Sequence, residues 1–345
     1  MPVSHTAFTR RAFTAGSALC LLGLPCQALA NETAQGGWEQ RAPLPLKLQE
    51  IYPASLNGQI HLIGGFSAEE NSISGVSDQH FIYNPLADSW RVAAPLPAPR
   101  HHPNVVGHQG KLYALGGFSA QSADAGWVAQ DQTWAYDPEA DAWGALGPAP
   151  EVHGETVCAS LGGRLHVVGG RKPRGTSNRT WSDHTDTNRH LVFDPSSNSW
   201  ERAAPALSAR NSAAGTVIDG LLYVVGGRTV TGGNVADLEI YDPREDKWRT
   251  GAPMPQAQGG LATASVGGRL YAFGGEFFNN GGGVYPECWV YDPQIDQWQA
   301  STPMRTPRHG LGGVAIDGWI YAIGGATQAG GVGTSNLLER FRPAK

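Results

Sequence analysis

The stretch RLYAFGGEFFNNGGGVYPECWVYDPQIDQW, residues 269–298, contains the pattern that decides the fold. An apolar run ends at a Gly-Gly pair at residues 274–275, and Tyr-Asp-Pro at residues 291–293 is followed by Trp298. Glycine permits a backbone turn that residues with a Cβ resist. Asp followed by Pro favours a tight turn between two strands. The stretch therefore predicts a strand, a loop and then a β-hairpin.

The same pattern recurs along the chain. Gly-Gly pairs that follow an apolar run begin at Gly64, Gly116, Gly169, Gly226, Gly274 and Gly324. After each of the first five come an aromatic residue, Asn or Asp, Pro and then a tryptophan, which is Trp90, Trp143, Trp200, Trp248 or Trp298. Regular repetition with no linker between the copies indicates a single repeat domain. The sixth pair has no tryptophan after it, whereas Trp38 precedes the first pair.

Gly-Gly after an apolar strand, then Tyr-Asp-Pro, then Trp, resembles the Kelch repeat, and the resemblance covers nearly all of residues 38–343. Kelch repeats form blades of four antiparallel strands around a central channel. The resemblance therefore implies an all-β protein, a six-bladed Kelch β-propeller. Because the sixth repeat lacks a tryptophan, we expect the strand near Trp38 to be the outermost strand of the last blade and to close the ring.

The first thirty residues have the features of a cleaved export signal. Arg10 and Arg11 precede a weakly apolar stretch at residues 12–24, which ends near Ala-Leu-Ala at residues 28–30. Thr-Arg-Arg-Ala-Phe at residues 9–13 resembles the twin-arginine signal, although Thr14 and Ala15 depart from it and leave the ordinary secretory route open. We expect a propeller at residues 31–345 in a periplasmic or secreted protein.

Composition limits the classes of partner. The formal net charge is −5, and residues 1–30 contain two arginines and no acidic residue, so the remainder carries −7. A negative charge argues against nucleic acid as a partner. Beyond residue 30, no apolar run approaches the roughly 18 residues that cross a bilayer, so we predict no membrane span in the mature chain. We also predict a monomer, and no disulfide between Cys158 and Cys288, which lie two blades apart.

Residues that repeat in every blade serve packing and turns, so we look for function where the blades differ. The residues 16, 15 and 14 positions before each Gly-Gly pair align from blade to blade. We call these three sets the first, second and third rings, and we expect them to surround the channel mouth. The third ring contains Glu50, His102, Glu155, Ser212, Gly260 and Gly310, and the second ring includes His101 and His309. The residues directly after the Gly-Gly pairs are Phe66, Phe118, Arg171, Arg228, Glu276 and Ala326.

Glu50, His102 and Glu155 lie on three successive blades, and three interpretations are open. Two carboxylates beside an imidazole can act as general acid and base on a bound sugar. The same residues, with His101 in reserve, are donors that a divalent metal accepts. They can also be solvated side chains lining a wet channel. We predict no metal site, and nothing in the sequence requires a cofactor.

Two arginines, Arg171 and Arg228, follow Gly-Gly pairs on adjacent blades. Arginine binds carboxylates through two parallel hydrogen bonds, so these residues indicate an anionic small molecule or a sugar acid as the ligand. We predict that His101, His102 and His309 are further ligand-binding residues at the same face.

Exported bacterial Kelch proteins of this size resemble the periplasmic N-acetylneuraminate epimerase family, whose members interconvert sialic acid anomers. The resemblance implies a catalytic Glu directly after a Gly-Gly pair, where this chain has Glu276, and an Arg six residues later, where it has Gly282. Arg228 of the neighbouring blade would have to replace that arginine. With this resemblance, the predicted catalytic residues are Glu276, Glu50 and Glu155.

The sequence leaves open whether the protein is an enzyme. The alternative is a module of the cell envelope that docks a protein or a glycan without changing a bond. A deep polar pocket with two carboxylates would favour an enzyme. A broad face with exposed aromatic residues would favour docking, and the residues concerned are Phe66, Phe118, Trp127 and Phe278.

Overall fold

A computed structural model describes residues 37–70 and 72–344. These residues form six four-stranded antiparallel sheets, four two-stranded hairpins and three short 3-10 helices. In each sheet the strands are hydrogen-bonded in the order innermost, second, third and outermost. The protein is thus all-β with six four-stranded blades, as the repeats predict. The predicted export signal at residues 1–30 lies outside the described residues.

Each blade runs from an innermost strand at the channel to an outermost strand at the periphery. In that order, blade 1 contains Ala54–Leu56, Gln59–Ile63, His80–Asn84 and Ser89–Ala93, and blade 2 contains Asn104–His108, Lys111–Leu115, Thr133–Asp137 and Ala142–Ala145. Blade 3 contains Val157–Leu161, Arg164–Val168, His190–Asp194 and Ser199–Arg202, and blade 4 contains Ala214–Ile218, Leu221–Val225, Leu238–Asp242 and Lys247–Gly251. Blade 5 contains Ala262–Val266, Arg269–Phe273, Cys288–Asp292 and Gln297–Ala300, and blade 6 contains Gly312–Ile316, Trp319–Ile323, Leu338–Phe341 and Glu39–Gln40.

Four blades carry a small hairpin in the loop after the Gly-Gly pair. The hairpins are Phe118–Ser119 with Val128–Ala129, Arg171–Pro173 with His184–Asp186, Arg228–Thr229 with Gly233–Asn234, and Glu276–Phe277 with Gly283–Val284. The 3-10 helices Ile73–Gly75, Trp181–Asp183 and Asn279–Gly281 lie in the same loops of blades 1, 3 and 5.

The N-terminal strand closes the ring, which confirms the prediction from Trp38. Glu39 pairs with Arg340 and Gln40 pairs with Glu339, so Glu39–Gln40 is the outermost strand of blade 6. The Trp38 indole Nε1 donates a hydrogen bond of 3.1 Å to the Thr302 carbonyl in the segment that links blades 5 and 6. The other blades make the equivalent bond over 2.8 to 3.1 Å through Trp90, Trp143, Trp200, Trp248 and Trp298.

Each Gly-Gly pair joins its blade to the next one. The second glycine donates its N–H over 2.8 to 3.0 Å to the carbonyl of the next blade's first-ring residue, and the last of these bonds runs from Gly325 back to Leu48. All twelve glycines have positive φ. A Cβ on the first glycine of any pair would lie within 3.0 Å of that same carbonyl oxygen. Glycine is therefore required by close approach between blades as well as by the turn.

The hydrophobic core is divided into six clusters, each of which lies between two adjacent blades. Between blades 6 and 1, for example, Tyr83 and Leu62 pack with Tyr321 and Ile323. Burial of these apolar surfaces fixes each blade against its neighbours and so positions the loops of the channel mouth. In the described part of the chain, no helix is long and apolar enough to cross a membrane.

Candidate functional site at the channel mouth

Two sets of loops build the channel mouth, which we define as the face carrying the second and third rings. In all six blades the second-ring residue forms a β-bridge with the residue directly after the Gly-Gly pair. The bridged pairs are Gln49 with Phe66, His101 with Phe118, Gly154 with Arg171, Asn211 with Arg228, Gly259 with Glu276, and His309 with Ala326. The side chains after the Gly-Gly pairs are thereby held beside the ring residues, on the same face.

All six third-ring residues have left-handed backbone, with φ between 49° and 69°. Main-chain hydrogen bonds link neighbouring ring positions, from Glu50 N to Gly310 O over 2.7 Å and from His102 N to Glu50 O over 2.9 Å, for example. Gly260 and Gly310 adopt this conformation freely, whereas Glu50, His102 and Glu155 adopt it at a cost of about 1 kcal/mol or more each. Strained backbone under charged side chains is a common feature of functional sites.

Glu276 binds three groups from three loops. Its Oε1 accepts a hydrogen bond of 2.7 Å from Arg228 Nη1, and its Oε2 accepts one of 2.7 Å from the Gly330 N–H. His309 Nε2 lies 3.2 Å from the same Oε2. Burial lowers the pKa of Arg228, but the carboxylates of Glu276 and Glu155 outweigh it and raise that pKa above its ordinary value. Arg228 thus stays charged and balances the charge of Glu276.

Glu50 lies between two imidazoles. Its Oε2 is 2.8 Å from His102 Nε2, and its Oε1 is 3.7 Å from His309 Nε2. Burial raises the pKa of Glu50, but the positive charges of His102, His309 and Arg228 outweigh burial and lower the pKa to about 2. Glu50 is therefore ionised over the whole range in which imidazoles gain and lose protons.

Glu155 connects His102 to a deeply buried arginine. Its Oε1 lies 3.6 Å from His102 Nε2, and its Oε2 lies 3.0 Å from Arg171 Nε in an ion pair that is not aligned as a hydrogen bond. The Arg171 guanidinium is fully buried and stacks on Trp181, with 4.0 Å from its central carbon to the ring centroid. Burial lowers the pKa of Arg171 from its ordinary value.

His101 lies behind His102. Its Nδ1 is 2.7 Å from His102 Nδ1, and its Nε2 is 2.9 Å from the Gly126 carbonyl oxygen. The ring is stacked between Phe66 and Phe118, at centroid distances of 4.0 and 5.1 Å. Burial and the adjacent His102 lower the pKa of His101 well below its ordinary value, so this imidazole is neutral at physiological pH.

A cavity of about 760 Å³ opens at the mouth. Its floor includes Glu50, Glu155, Glu276 and Arg228. Aromatic side chains line its walls, and these are Phe66, Trp127, Trp181, Phe277, Phe278 and Tyr285. A polar floor below aromatic walls suits a small ligand that has both polar groups and apolar faces.

The structure brings all eight predicted site residues to the channel mouth. Glu50, Glu155, Glu276 and Arg228 line the cavity. The other four, His101, His102, His309 and Arg171, are buried around its floor. Arg228, which would have to replace the arginine absent at Gly282, is in direct contact with Glu276, and its role stays a prediction.

Of the four aromatic residues whose exposure would favour docking, Phe118 is fully buried because it packs between His101 and His184. Phe66 and Trp127 are partly buried, and Phe278 is 63% exposed. The three first-ring arginines bind within their own blades: Arg210 and Arg308 pair with Glu239 and Glu339 on the third strands, and Arg100 donates a hydrogen bond of 2.6 Å to the Gln132 side chain.

Other residues at the mouth were not anticipated from the sequence. They include the Gly330 N–H, the Asn234 side chain, which donates a 2.6 Å hydrogen bond to the Glu276 carbonyl, and the cavity-lining residues Phe277 and Tyr285. The sequence feature that could have identified them is their position in the loops after Gly-Gly pairs, because these loops reach the channel mouth. Within residues 37–70 and 72–344, no cluster of three or more His, Cys, Asp or Glu side chains is arranged to hold a metal ion.

Known proteins share the repeats of this chain. The chain matches the family described as KLHDC2/KLHL20/DRC7 Kelch-repeats domain over residues 51–250 and 155–338. Kelch-like protein terF of Aspergillus terreus is 27% identical over 240 residues, which cover 67% of this chain and 51% of that protein. Kelch repeat and BTB domain-containing protein 12 of Danio rerio is 30% identical over 205 residues, which cover 57% of this chain and 32% of that protein. The chain thus spans about half the length of these relatives or less.

A solved structure, that of YjhT, is similar in fold. It superposes with a TM-score of 0.74 and 18% sequence identity, and the match covers 88% of this chain and 97% of that chain. The family match spans most of the described propeller, and the six blades with their Gly-Gly and Trp contacts have the architecture that the repeats predict. The chain therefore belongs to the Kelch-repeat family.

Proposed function

We propose that the protein binds a small sugar acid at the channel mouth and catalyses the proton transfers that interconvert its anomers. The observation that carries this proposal is a row of alternating basic and acidic side chains in and around the cavity floor. Arg228, Glu276, His309, Glu50 and His102 follow one another at contact distances of 2.7 to 3.7 Å. Groups that can accept a proton and groups that can donate one are thus close together beside one cavity.

The cavity has the properties that such a ligand needs. A volume of about 760 Å³ falls within the range of roughly 300–1,000 Å³ that is usual for small-molecule sites. Aromatic rings such as Trp127, Phe277 and Tyr285 can stack on the apolar face of a sugar ring. Arg228 provides a charged donor for a carboxylate.

The reaction needs one proton acceptor and one proton donor. When a cyclic hemiacetal opens, a base removes the hydrogen of the anomeric hydroxyl, its electron pair forms the carbonyl, and the bond from the anomeric carbon to the ring oxygen breaks. An acid then protonates the ring oxygen. Closure on the other face of the carbonyl returns both protons, so the cycle consumes nothing. Glu276, held by the Arg228 charge, is the proposed base.

Ligand binding is tested by thermal unfolding of residues 31–345 with sugar acids, the corresponding neutral sugars and divalent metals. A ligand at 100 times its dissociation constant stabilises the fold by about 2.7 kcal/mol. We expect sugar acids to raise the unfolding midpoint more than neutral sugars do. No shift with any sugar acid at millimolar concentration would contradict the proposed ligand class.

Catalysis is tested by NMR measurement of anomer exchange in the bound sugar acid. We expect Glu276→Gln to lower the exchange rate by on the order of 100-fold, because the amide cannot accept the proton. Glu139→Gln is the matched control, since Glu139 is exposed in a turn of blade 2. Equal rates for the two variants would exclude Glu276 as the base.

Docking of a protein or a glycan is the second candidate function. It is favoured by exposed apolar side chains at the mouth, namely Phe278 at 63%, Val332 at 58% and Trp181 at 42% exposure. Such a patch marks interaction surfaces on many proteins. Thermal unfolding separates the two functions: docking predicts that no small sugar acid shifts the midpoint and that an oligosaccharide or a protein does.

We further propose that the protein works outside the cytoplasm, delivered by the signal at residues 1–30. Cell fractionation tests this directly. Replacing both Arg10 and Arg11 by Lys is expected to retain the full-length chain in the cytoplasm if the twin-arginine route is used. Unchanged export of that variant would favour the ordinary secretory route, and a cytoplasmic wild-type protein would contradict export.

A further inference from the structure

We propose that His101 is a positioning residue that fixes the hydrogen of His102 on Nδ1, so that His102 Nε2 is the atom that gives up and regains a proton beside Glu50. This inference rests on the proposed function, because it assigns the acid of the same reaction. Two successive hydrogen bonds fix these hydrogen positions. The first involves the Gly126 carbonyl oxygen, which can act only as an acceptor.

A carbonyl oxygen can only accept a hydrogen bond. The 2.9 Å contact between Gly126 O and His101 Nε2 therefore places a hydrogen on that Nε2. Phe66 and Phe118 sandwich the His101 ring, and burial keeps it neutral. A neutral imidazole has one N–H, so His101 Nδ1 has none and is an acceptor.

The next contact fixes His102. His102 Nδ1 lies 2.7 Å from His101 Nδ1, and a hydrogen bond between them requires His102 to donate. His102 Nδ1 is thus occupied by a hydrogen, and its exchangeable position is Nε2. Nε2 faces Glu50 Oε2 at 2.8 Å and Glu155 Oε1 at 3.6 Å. A proton at Nε2 lies beside two carboxylates, and the nearer of them, Glu50, lines the cavity; in the proposed path this is the proton that the acid gives up.

The proposed proton path is balanced. As the hemiacetal opens, the anomeric hydroxyl loses its proton to Glu276, and the ring oxygen takes a proton that His102 Nε2 passes on through the Glu50 carboxylate, which lines the cavity beside it. As the ring closes, the hydroxyl that becomes the ring oxygen returns its proton through Glu50 to His102 Nε2, and Glu276 protonates the carbonyl oxygen, which becomes the new anomeric hydroxyl. Glu50 is ionised before and after each transfer and stabilises the imidazolium, in the way that a carboxylate orients the base in hydrolytic triads.

The fold itself does not require a histidine at position 101. The five equivalent second-ring positions hold Gln49, Gly154, Asn211, Gly259 and His309, and each makes the same β-bridge. Asn211 shows that asparagine fits this backbone, and the Asn side-chain oxygen lies near the position of a histidine Nδ1. His101→Asn therefore keeps an acceptor for His102, whereas His101→Phe removes it and keeps the aromatic ring.

The experiment compares the wild type with His101→Asn, His101→Phe and His184→Phe. His184 stacks on the other side of Phe118 and has no contact with His102, so it controls for loss of an imidazole from the same aromatic stack. Thermal unfolding identifies any variant that does not fold. Imidazole ¹⁵N chemical shifts then report which nitrogen of His102 carries hydrogen, and anomer exchange of a sugar acid gives kcat and KM.

We expect His101→Phe to lower kcat by on the order of 100-fold with little change in KM, and to shift the His102 signals towards a mixture of tautomers. His101→Asn should retain the wild-type signals and most of kcat, and His184→Phe should resemble the wild type. The pH profile of kcat should also change in His101→Phe, since among the described residues the titratable groups left in contact with His102 are Glu50 and Glu155, with Tyr52, Arg171 and Arg228 farther out.

Wild-type His102 signals in folded His101→Phe would overturn the positioning role, as would equal losses of kcat in the Asn and Phe variants. Failure of the proposed function looks different: the wild type would then exchange no sugar acid anomers. In that case the catalytic part of this inference falls with it, and the ¹⁵N signals still decide whether His101 sets the tautomer of His102.

Discussion

The frame of the propeller, by which we mean the six blades with their Gly-Gly pairs and tryptophans, repeats its side chains along with its backbone, whereas the channel mouth repeats only the backbone. In the frame, six Gly-Gly pairs and six tryptophans make equivalent hydrogen bonds from blade to blade, with the same residue types each time. At the mouth, six third-ring positions share one left-handed backbone conformation but carry Glu, His, Glu, Ser, Gly and Gly. The repeat therefore fixes where side chains point, and the differences between blades decide what they do.

This contrast separates stability from chemistry. Gly260 and Gly310 satisfy the third-ring conformation without strain, so the frame alone does not account for Glu50, His102 and Glu155 in the same place. Charged residues with strained backbone cluster at functional sites. Changes in the frame should then alter the free energy of unfolding and leave ligand affinity intact. Changes at the mouth should alter ligand affinity and leave the free energy of unfolding intact.

The largest effect is expected at Trp38, the tryptophan that closes the ring. It is buried and packs on Phe341 and Phe273 at centroid distances of 5.4 and 5.5 Å. Trp38→Ala should lower the free energy of unfolding by about 3–5 kcal/mol, because a large buried side chain is lost. Urea denaturation measures the loss, and ligand affinity of the remaining folded protein should be unchanged. A loss below ~1 kcal/mol would show that the ring closes without this contact.

The second test compares two glycines of blade 5 that have the same φ of 73°, Gly274 of the Gly-Gly pair and Gly268 of a turn. A Cβ at Gly274 would meet the Arg308 carbonyl oxygen at 2.5 Å, whereas a Cβ at Gly268 would meet nothing within 4 Å. Both Ala variants carry the strain of left-handed backbone. Gly274→Ala should lower the free energy of unfolding by about 2 to 3 kcal/mol more than Gly268→Ala does, because it also disturbs a blade-to-blade hydrogen bond. Equal losses in urea denaturation would mean that strain alone explains the Gly-Gly pairs.

Two buried histidine pairs are expected to make the frame sensitive to acid. His61 Nδ1 lies 2.9 Å from His80 Nε2 in blade 1, and His166 Nδ1 lies 2.8 Å from His190 Nε2 in blade 3. Burial lowers the pKa of His61 and His190 to about 3, and that of His80 and His166 to about 4. In the unfolded chain these imidazoles have a pKa near 6.5. The unfolded state therefore binds more protons, and stability is lost as pH falls from about 6.5 towards 4.

Blades 4 and 6 have Tyr and Leu at the two equivalent positions, as Tyr223 with Leu238 and Tyr321 with Leu338. The double variant His61→Tyr with His80→Leu copies that pair into blade 1. We expect it to remove about 3 to 4 kcal/mol of the stability that the wild type loses between pH 7 and 5, somewhat under 2 kcal/mol for each imidazole. Urea denaturation at both pH values measures this. An unchanged pH dependence would place the acid sensitivity elsewhere.

The frame could be predicted from the sequence because its signals are local and repeated. A Gly-Gly pair after an apolar run marks a strand end wherever it occurs, and the absence of a tryptophan after Gly324 was enough to assign Trp38 to the last blade. The sequence did not show that a Gly-Gly pair also contacts the next blade, because that contact joins residues far apart in the chain, such as Gly65 and Arg100.

The site could be predicted only as a set of residues on one face. Ring alignment placed Glu50, His102 and Glu155 together, but it gave no distances and did not relate them to His309 and Glu276. Burial was the hardest property to foresee, because it depends on loops from other blades. Phe118 is buried by His101 and His184, and Arg171 by Trp181, through hairpins whose lengths differ from blade to blade.

The smallest effect is expected at Phe278, on the rim of the mouth. This residue is 63% exposed, and Arg228 lies 5.6 Å from its ring centroid. Phe278→Ser should leave the free energy of unfolding within about 0.5 kcal/mol of the wild type, as exposed positions do. If the ring stacks on a bound sugar acid, affinity should fall by roughly fivefold, equivalent to about 1 kcal/mol. Isothermal titration calorimetry measures the change, with the exposed Leu86→Ser of blade 1 as the control. A stability loss without an affinity loss would assign Phe278 to the frame. That result would contradict the proposed division between a frame that supplies stability and a mouth that binds the ligand.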